Sequence, residues 1–167
     1  MTELSQKFTL HSVGEENIDA ILKVYQECED FFSLGPVANA SKTMVLADLE
    51  ISRQAGGLFR GIFQADGTMV GIIDVVLSGF EGNPKYAFLE LLMIGAPYRG
   101  QGIGEWVVGA VEKEIRQNPQ VKAVLTGVQV NNPSAIHFWQ HMGYQIVRQA
   151  HTLPDTTTVD DLKKVIE

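Results

Sequence analysis

The chain has 167 residues, of which 45% are hydrophobic and 20% charged, proportions typical of one soluble globular domain over residues 1–167. Its formal net charge of −7 argues against nucleic acid as a partner, because phosphates require a basic surface. The single cysteine, Cys28, excludes an internal disulfide and favours a reducing, cytoplasmic location. Met1–Leu10 has no signal-peptide pattern, and no run approaches the roughly 20 apolar residues of a membrane span, so we expect no membrane partner.

The first third of the chain predicts a strand followed by two helices. Phe8 and Leu10 alternate with polar residues, as in a short strand. Apolar residues then recur at helical spacing as far as Cys28, which we interpret as a small buried hydrophobe rather than a reactive thiol. A second helix is predicted over about residues 43–53. The acidic segment at residues 27–30 has two interpretations, a solvated face or the entrance for a cationic acceptor.

Three strands follow, and the third leads into the most informative stretch of the sequence. Leu58–Phe63 and Met69–Val76 flank an Asp-Gly pair that is typical of a hairpin turn. Ala87–Glu105 then combines an apolar strand, a glycine-rich turn and the start of an amphipathic helix that we expect to end near Gln117. A helix N-terminus offers unpaired N–H groups, and glycines let the backbone approach an anion closely, so this arrangement suits a phosphate.

The glycine spacing distinguishes among known phosphate loops. It fits neither the GxGxxG motif of dinucleotide-binding proteins nor the GxxxxGK[ST] of P-loop proteins. What remains is Arg99-x-x-Gly102-x-Gly104 after a buried strand, and this pattern resembles the pyrophosphate loop of the GCN5-related N-acetyltransferases, which bind acetyl-coenzyme A. The alternative interpretation of these residues alone is a tight strand-to-helix turn with no ligand.

A second segment extends the resemblance. After a strand predicted at Ala123–Val130, Asn132 is a suitable N-cap and Gly143 ends a short helix. The segment is similar to the family's Asn-x-x-Ala-x-x-Phe-aromatic-x-x-x-Gly-aromatic pattern, with Phe138 expected to face the core and Trp139 another side. The resemblance covers roughly residues 70–147, about half of the chain.

The resemblance implies a fold of the α/β (α+β) class. We expect a single domain whose mixed central sheet of about six or seven strands is flanked by about four helices, with parallel strands that splay at the cofactor site. The remaining residues predict strands at Tyr144–Arg148 and Thr156–Val159 and a terminal helical turn at Asp160–Ile166. Exposed terminal strands in this family often pair two subunits, so a homodimer is compatible with the resemblance.

The resemblance also implies which residues bind acetyl-coenzyme A. Free N–H groups of Leu92, Met93 and Ile94, in a splayed strand, would contact the pantetheine and polarise the acetyl carbonyl. Those of the glycine loop would bind the pyrophosphate, with Arg99 as its counter-charge. The asparagine and the aromatic residue of the second segment would lie near the thioester. The expected cofactor-binding residues are Leu92, Met93, Ile94, Arg99, Gly100, Gln101, Gly102, Ile103, Gly104, Asn132 and Trp139.

Acetyl transfer to an amine needs a base, because an alkylammonium with a pKa of about 10.4 has no free electron pair. Glu90, an acid inside an apolar strand, is the first candidate and would act through a water; the alternative is a glutamate paired with a lysine or arginine. Asp74 is the second candidate. Trp139 stands where many family members have the tyrosine that protonates the thiolate, and Tyr144 and His141 are the available substitutes.

The predicted function is N-acetyltransfer from acetyl-coenzyme A to a primary amine, on a small molecule or a peptide. The alternative is a sensor of the same fold that binds an acyl-coenzyme A without turnover, and a third, disfavoured interpretation is an unrelated nucleotide-binding α/β protein. His137 and His141 have the four-residue spacing of zinc ligands, but with no third ligand nearby we expect a surface pair and no metal.

Overall fold

The computed structural model describes residues 3–166. Within this range no helix is both long and apolar enough to cross a membrane. The helices are α1 (Glu3–Lys7), α2 (Ile18–Gln26), α3 (Glu29–Phe32), α4 (Lys42–Ala55), α5 (Ile103–Ile115) and α6 (Pro133–His141). The strands are β1 (Phe8–Ser12), β2 (Leu58–Gln64), β3 (Met69–Val76), β4 (Tyr86–Ile94), β5 (Ala123–Gln129), β6 (Gln145–Thr152) and β7 (Thr158–Val165).

The strands form one mixed sheet in the order β1-β2-β3-β4-β5-β7-β6. Neighbouring strands are antiparallel except for β4 and β5, which are parallel and joined through α5. The prediction of a mixed sheet of about six or seven strands is therefore confirmed, since the sheet has seven strands and one parallel pair. The four helices expected from the sequence are α2, α4, α5 and α6.

Alternating side chains on the central strands bury a separate core on each face of the sheet. On one face, α5 and α6 pack through residues such as Val107 and Trp139 against alternate residues of β3, including Ile73 and Val75. On the other face, α2 and α4 cover the neighbouring β3 residue Ile72. The sheet thus separates two layers of helices, and any opening between its strands connects them.

Such an opening exists between β4 and β5. The two strands pair only from Tyr86–Ala123 to Leu89–Thr126, four residue pairs, and then diverge. The Thr126 hydroxyl donates to the Leu89 carbonyl at 2.9 Å, which is the last link between them. The predicted splay of the parallel pair is therefore present, and β4 continues for five residues, 90–94, without a described strand partner on this side.

Two local predictions were wrong. Asp160–Ile166 is not a helical turn, because β7 runs from Thr158 to Val165 and inserts between β5 and β6. Its alternation places Leu162 in the core with 0% exposure, and pairing with two strands outweighs the helical preference of a charged sequence. Trp139 does not face away from the core either, since it is the buried residue of α6.

Cys28 is buried as predicted, with 1% exposure, although it follows α2 rather than belonging to it. Its thiol donates to the carbonyl of Ile94 at 3.4 Å. Burial raises the pKa of this thiol, which fits an unreactive core residue.

The position of β7 inside the sheet predicts a large effect of Leu162→Ala. Removing a fully buried leucine side chain leaves a cavity, so we expect a loss of about 2–5 kcal/mol in the free energy of unfolding. Val165→Ala in the same strand is the matched control, because that side chain is 67% exposed, and its effect should stay within about 0.5 kcal/mol. Urea unfolding followed by circular dichroism measures both; equal effects would contradict the placement of β7.

Candidate active site

The divergence of β4 and β5 opens a cavity of about 670 Å³. Its walls come from β4, the glycine-rich loop, the first turns of α5 and α6, the end of β5, the segment after α2 and the β6–β7 hairpin. Ten of the eleven predicted cofactor-binding residues line this cavity: Leu92, Met93, Ile94, Arg99, Gly100, Gly102, Ile103, Gly104, Asn132 and Trp139. The eleventh, Gln101, is exposed and lies outside the lining.

The glycine-rich loop presents its backbone to the cavity. Gly100 and Gly102 adopt φ values of +77° and +79°, in the left-handed region that side chains disfavour, and Gly102 caps α5. An added Cβ at Gly100 would meet no atom within 4 Å, so the space above the loop is open to a ligand. The free N–H groups of the first turn of α5 and the positive end of its dipole then favour an anion there.

Gly104 serves close packing between two helices that line the cavity. A Cβ at this position would lie 3.3 Å from the Phe138 ring of α6, tighter than ordinary contact. Asn132 caps α6 by accepting a hydrogen bond from the N–H of Ala135 at 3.2 Å. The two helix starts are therefore fixed against each other at the mouth of the cavity.

Strand β4 directs unpaired donors into the gap. The N–H of Gly95 donates to the Val70 carbonyl at 2.9 Å, continuing the β3–β4 ladder. Because backbone groups alternate in direction along an antiparallel strand, the N–H groups of Leu92 and Ile94 point away from β3 and toward the gap, while that of Met93 points to β3. Two donors, two residues apart, thus face the cavity without a strand partner in the described chain.

Arg99 lies at the cavity wall with its guanidinium already paired. Its Nη1 and Nη2 are 2.6 and 3.1 Å from the two carboxylate oxygens of Asp30, and its Nε donates to the Ile94 carbonyl at 2.9 Å. The same Arg99 guanidinium lowers the pKa of the Asp30 carboxyl. Asp30 is therefore charged and compensated, which removes it from the acidic entrance considered in the sequence.

Glu90 occupies a special position in β4. Asp74 pairs with Leu91 and Val75 with Leu89, which leaves Glu90 as the extra residue of a β-bulge. Its side chain is exposed to the cavity. Bulges re-aim a side chain at sites next to chemistry, and here the bulge turns a carboxyl group into the gap.

The surroundings of Glu90 are acidic. Although the Glu90 side chain opens onto the cavity, the surrounding protein partly desolvates its carboxyl group, and this is the largest cause of its raised pKa. The charges of Asp74 and Asp48 raise the pKa further. No ion pair with a lysine or arginine is formed by Glu90 in the described part of the chain. The alternative of a glutamate paired at a strand edge therefore does not describe this residue.

Asp74, the second candidate base, does not line the cavity. It is 2% exposed and accepts a hydrogen bond from the Ser52 hydroxyl of α4 at 2.7 Å. Burial raises its pKa, as it does for the neighbouring Asp48, which accepts from Tyr25 at 2.7 Å. These two carboxyls stand behind Glu90 rather than beside a substrate.

The two residues expected to protonate the leaving thiolate in place of a tyrosine, Tyr144 and His141, lie outside the cavity. The hydroxyl of Tyr144 is buried and donates to Glu112 at 3.1 Å, a carboxylate that also pairs with Lys164 at 2.8 Å. His141 lies 3.3 Å from Glu105 at the surface. Neither histidine nor tyrosine of this pair can therefore reach a thiolate in the cavity.

Metal-binding side chains are a separate matter. Residues 3–166 contain no cluster of three side chains that could hold a metal ion.

Sequence reasoning missed several residues of the cavity wall. Tyr98 follows the strand, Gln129 ends β5, and Leu153 and Asp155 lie on the β6–β7 hairpin. No motif marks Leu153 and Asp155, because they reach the cavity only through the strand order that places β7 beside β5. Gln129 would have been accessible to reasoning, since it ends the strand that follows the glycine-loop helix.

Comparisons with known proteins agree with this geometry. The model of the acetyltransferase (GNAT) family matches residues 18–144, which is more than half of the chain. The chain belongs to this family. As a GNAT protein it is an acyltransferase that uses acetyl-coenzyme A. No curated protein sequence matches it significantly.

Solved structures show the GNAT fold over the whole chain. An acetyltransferase from Thermus thermophilus superimposes with a TM-score of 0.79 at 20% identity, covering 96% of this chain and 97% of that one. Spermidine N-acetyltransferase from Vibrio cholerae, in complex with CoA and spermine, gives 0.69 at 13%, covering 96% of each. The ribosomal-protein-S18-alanine N-acetyltransferase from Escherichia coli gives 0.68 at 15%, covering 96% and 94%. At such identities the likeness shows the fold alone.

The contact at Gly104 predicts weaker acetyl-coenzyme A binding for Gly104→Ala. The added methyl group must push the Phe138 ring and α6 away from the loop, at a cost of about 1–2 kcal/mol, which is about a tenfold higher Kd. Gly109→Ala in the same helix is the matched control, because its Cβ would meet nothing within 4 Å. Isothermal titration calorimetry measures both variants, and an unchanged Kd for Gly104→Ala would contradict the expectation.

Proposed function

We propose that this protein transfers the acetyl group of acetyl-coenzyme A directly to a primary amine, with Glu90 as the general base. The observation that supports this most is the β-bulge of β4, which places an unpaired carboxyl in the same cavity as the glycine loop. The raised pKa of Glu90 suits a base that must accept a proton near neutral pH. The loop and the carboxyl lie at opposite ends of the residues that continue β4 past its pairing with β5.

Different residues of the cavity would contact different parts of acetyl-coenzyme A. Acetyl-coenzyme A supplies the thioester whose acetyl group is transferred. The N–H groups of Gly100–Gly104, in the loop and the first turn of α5, would hold the pyrophosphate, with Arg99 adding positive charge at the edge. Asn132 and Trp139 would lie along the pantetheine, and Met93 lines the cavity with its side chain.

Two donors of β4 suit the acetyl carbonyl. The N–H groups of Leu92 and Ile94 point into the gap, where negative charge develops on the carbonyl oxygen as the amine attacks. Donors fixed in place before the reaction commonly lower such a barrier by about 3–4 kcal/mol. Glu90, through a water, takes the proton that the ammonium loses. Desolvation of its carboxyl group raises the pKa of Glu90, and the charge of Asp74 adds to this effect.

Neither of the two substitutes expected from the sequence, Tyr144 and His141, lines the cavity where the coenzyme thiolate would leave. Trp139 has no proton to donate at the required acidity, and Tyr144 is held by Glu112. A thiol with a pKa of about 8.5 departs passably as the thiolate and takes its proton from water. The carbon–sulfur bond breaks as the carbon–nitrogen bond forms, giving the N-acetylamine and free coenzyme A.

A sensor that binds an acyl-coenzyme A without turnover is the second candidate. The absence of a tyrosine at position 139 favours it, whereas the unpaired Glu90 favours catalysis. The V. cholerae and E. coli structural relatives act on spermidine and on a ribosomal-protein alanine according to their names, so one fold serves different amines.

Glu90→Gln separates catalysis from binding. We expect kcat to fall at least about a hundredfold, because a positioned base commonly contributes about 10²–10⁴-fold, while the Kd for acetyl-coenzyme A is unchanged. In the wild type, activity requires the carboxylate and falls as pH drops through the pKa of Glu90, which lies above the ordinary glutamate value of about 4.3. Thiol release with an amine panel, followed across pH, measures both.

The matched control is Glu81→Gln, an exposed glutamate on the loop before β4, which should leave rate and pH profile unchanged. If Glu90→Gln keeps its turnover, Glu90 is not the base. If the wild type binds acetyl-coenzyme A and acetylates no amine in the panel, the sensor is the better description.

Arg99 and Asp30 make opposite contributions to the charge beside the pyrophosphate. Asp30→Asn leaves the Arg99 guanidinium uncompensated, so we expect tighter acetyl-coenzyme A binding, and Arg99→Gln should weaken binding severalfold. The effect of each substitution on the Kd for acetyl-coenzyme A should become smaller as the salt concentration rises, because the ion pair is partly exposed. Titrations at two salt concentrations test this, and equal weakening by both variants would show that the pair matters for folding instead.

A further inference from the structure

One group of residues in the cavity lining has a composition that identifies a class of acceptor, given the proposed function. We call this part of the lining the acceptor chamber and define it by Phe31, Leu34, Glu90, Leu153 and Asp155. The first two come from the segment between α2 and α4, and the last two come from the β6–β7 hairpin.

The two walls of the acceptor chamber lie beside each other. The Asn131 side chain donates to the Leu34 carbonyl at 3.0 Å, tying the segment to the end of β5. A smaller cavity of about 340 Å³ is lined by residues 34–36 on one side and 156–158 on the other. The hairpin and the segment therefore lie on either side of one space, and residues of both also line the larger cavity together with Glu90.

The charge of the acceptor chamber is negative. Glu90 and Asp155 both line it, and the N–H of Thr157 donates to Asp155 at 2.9 Å, which lowers the pKa of that carboxyl. Among the described residues that line the cavity, Arg99 is the one lysine, arginine or histidine, and Asp30 already compensates it at 2.6 Å. A carboxylate or phosphate on the acceptor would find no cation among these lining residues.

The rest of the acceptor chamber is apolar or accepts hydrogen bonds. Leu34 and Leu153 are 37% and 38% exposed and contribute apolar surface to the cavity lining. Phe31 and Val159 extend the same surface. The side-chain oxygen of Gln129 is buried and has no partner among the described residues, so it suits an N–H donor and repels an acid.

We propose that the acceptor is a primary amine with an apolar body and no acidic group near its nitrogen. The free amino acid of the same size is excluded by charge rather than by shape. The carboxylate beside an α-amino group would face Glu90 and Asp155 with no counter-charge, and like charges brought together at a site are strongly unfavourable.

Matched acceptors test the charge rule directly. Phenethylamine, phenylalaninamide and phenylalanine have the same ring and amine and differ in having no substituent, a neutral amide or a carboxylate. We expect kcat/KM for the amine and the amide to exceed that for the acid at least about tenfold. The intrinsic chemistry favours the opposite order for amine and acid, because an α-amino group is less basic than an alkylamine and more of it is unprotonated.

Asp155→Asn tests whether the charge of Asp155 disfavours acceptors that carry a carboxylate. Asparagine keeps an oxygen for the Thr157 N–H and removes the charge, so the ratio of amine to acid should fall about threefold or more. Asp66→Asn is a matched control, since Asp66 accepts from the N–H of Thr68 at 2.9 Å in the same kind of turn, outside the cavity lining. Its ratio should stay at the wild-type value.

The outcomes separate this inference from the proposed function. Phenylalanine used as well as phenethylamine, or an unchanged ratio in Asp155→Asn, overturns the charge rule while acetyl transfer to amines stands. Binding of acetyl-coenzyme A with turnover of polar amines only, and of neither phenethylamine nor 3-methylbutylamine, overturns the apolar body. Failure to bind acetyl-coenzyme A overturns the proposed function itself, and the inference with it.

Discussion

The parting of two parallel strands is the constraint on which the whole site depends. After four residue pairs β4 and β5 separate, and the donors of Leu92 and Ile94 lose the partners that a continuous sheet would give them. These donors face an open cavity that solvent reaches, so a ligand with carbonyl oxygens exchanges hydrogen bonds with water for hydrogen bonds with the strand. The net gain of such an exchange is about 0.5–1.5 kcal/mol per bond. The same gap that admits acetyl-coenzyme A therefore supplies part of its binding energy.

The charge around Glu90 depends on where the positively charged side chains lie. Arg99 is paired with Asp30, and Lys164 is paired with Glu112 of α5. Glu90 is left among acids, with Asp74 and Asp48 behind it. A surface glutamate beside a lysine would stay ionised at low pH and would be a weak base. Separating Glu90 from the cations makes it a stronger one.

Much of this architecture could be predicted because local sequence controls it. Gly102 and Gly104 near a helix start, and Asn132 before Pro133, act through a few neighbouring residues, and the structure places all four where the motifs predict. Glu90 was found because an acid in an apolar strand conflicts with its surroundings. Its position in a bulge could not be read, since that depends on register with β3.

The errors share a physical origin in long-range pairing. Asp160–Ile166 has charges at helical spacing, and only its neighbours β5 and β6 make it a strand. The pairing of Arg99 with Asp30 joins residues 69 apart, so no spacing rule could show it. Leu153 and Asp155 entered the site for the same reason. What the sequence lacked was the order of the strands.

The insertion of β7 also bears on how the chain reaches its native state. β7 is the last described strand, yet it lies between β5 and β6, so β6 has no neighbour in the described sheet until β7 has been synthesised. Until then the edge of β5 is open, and open strand edges invite pairing with other chains. Such distant pairings also form slowly. The wall that holds Leu153 and Asp155 therefore depends on the last described strand pairing with both of its neighbours.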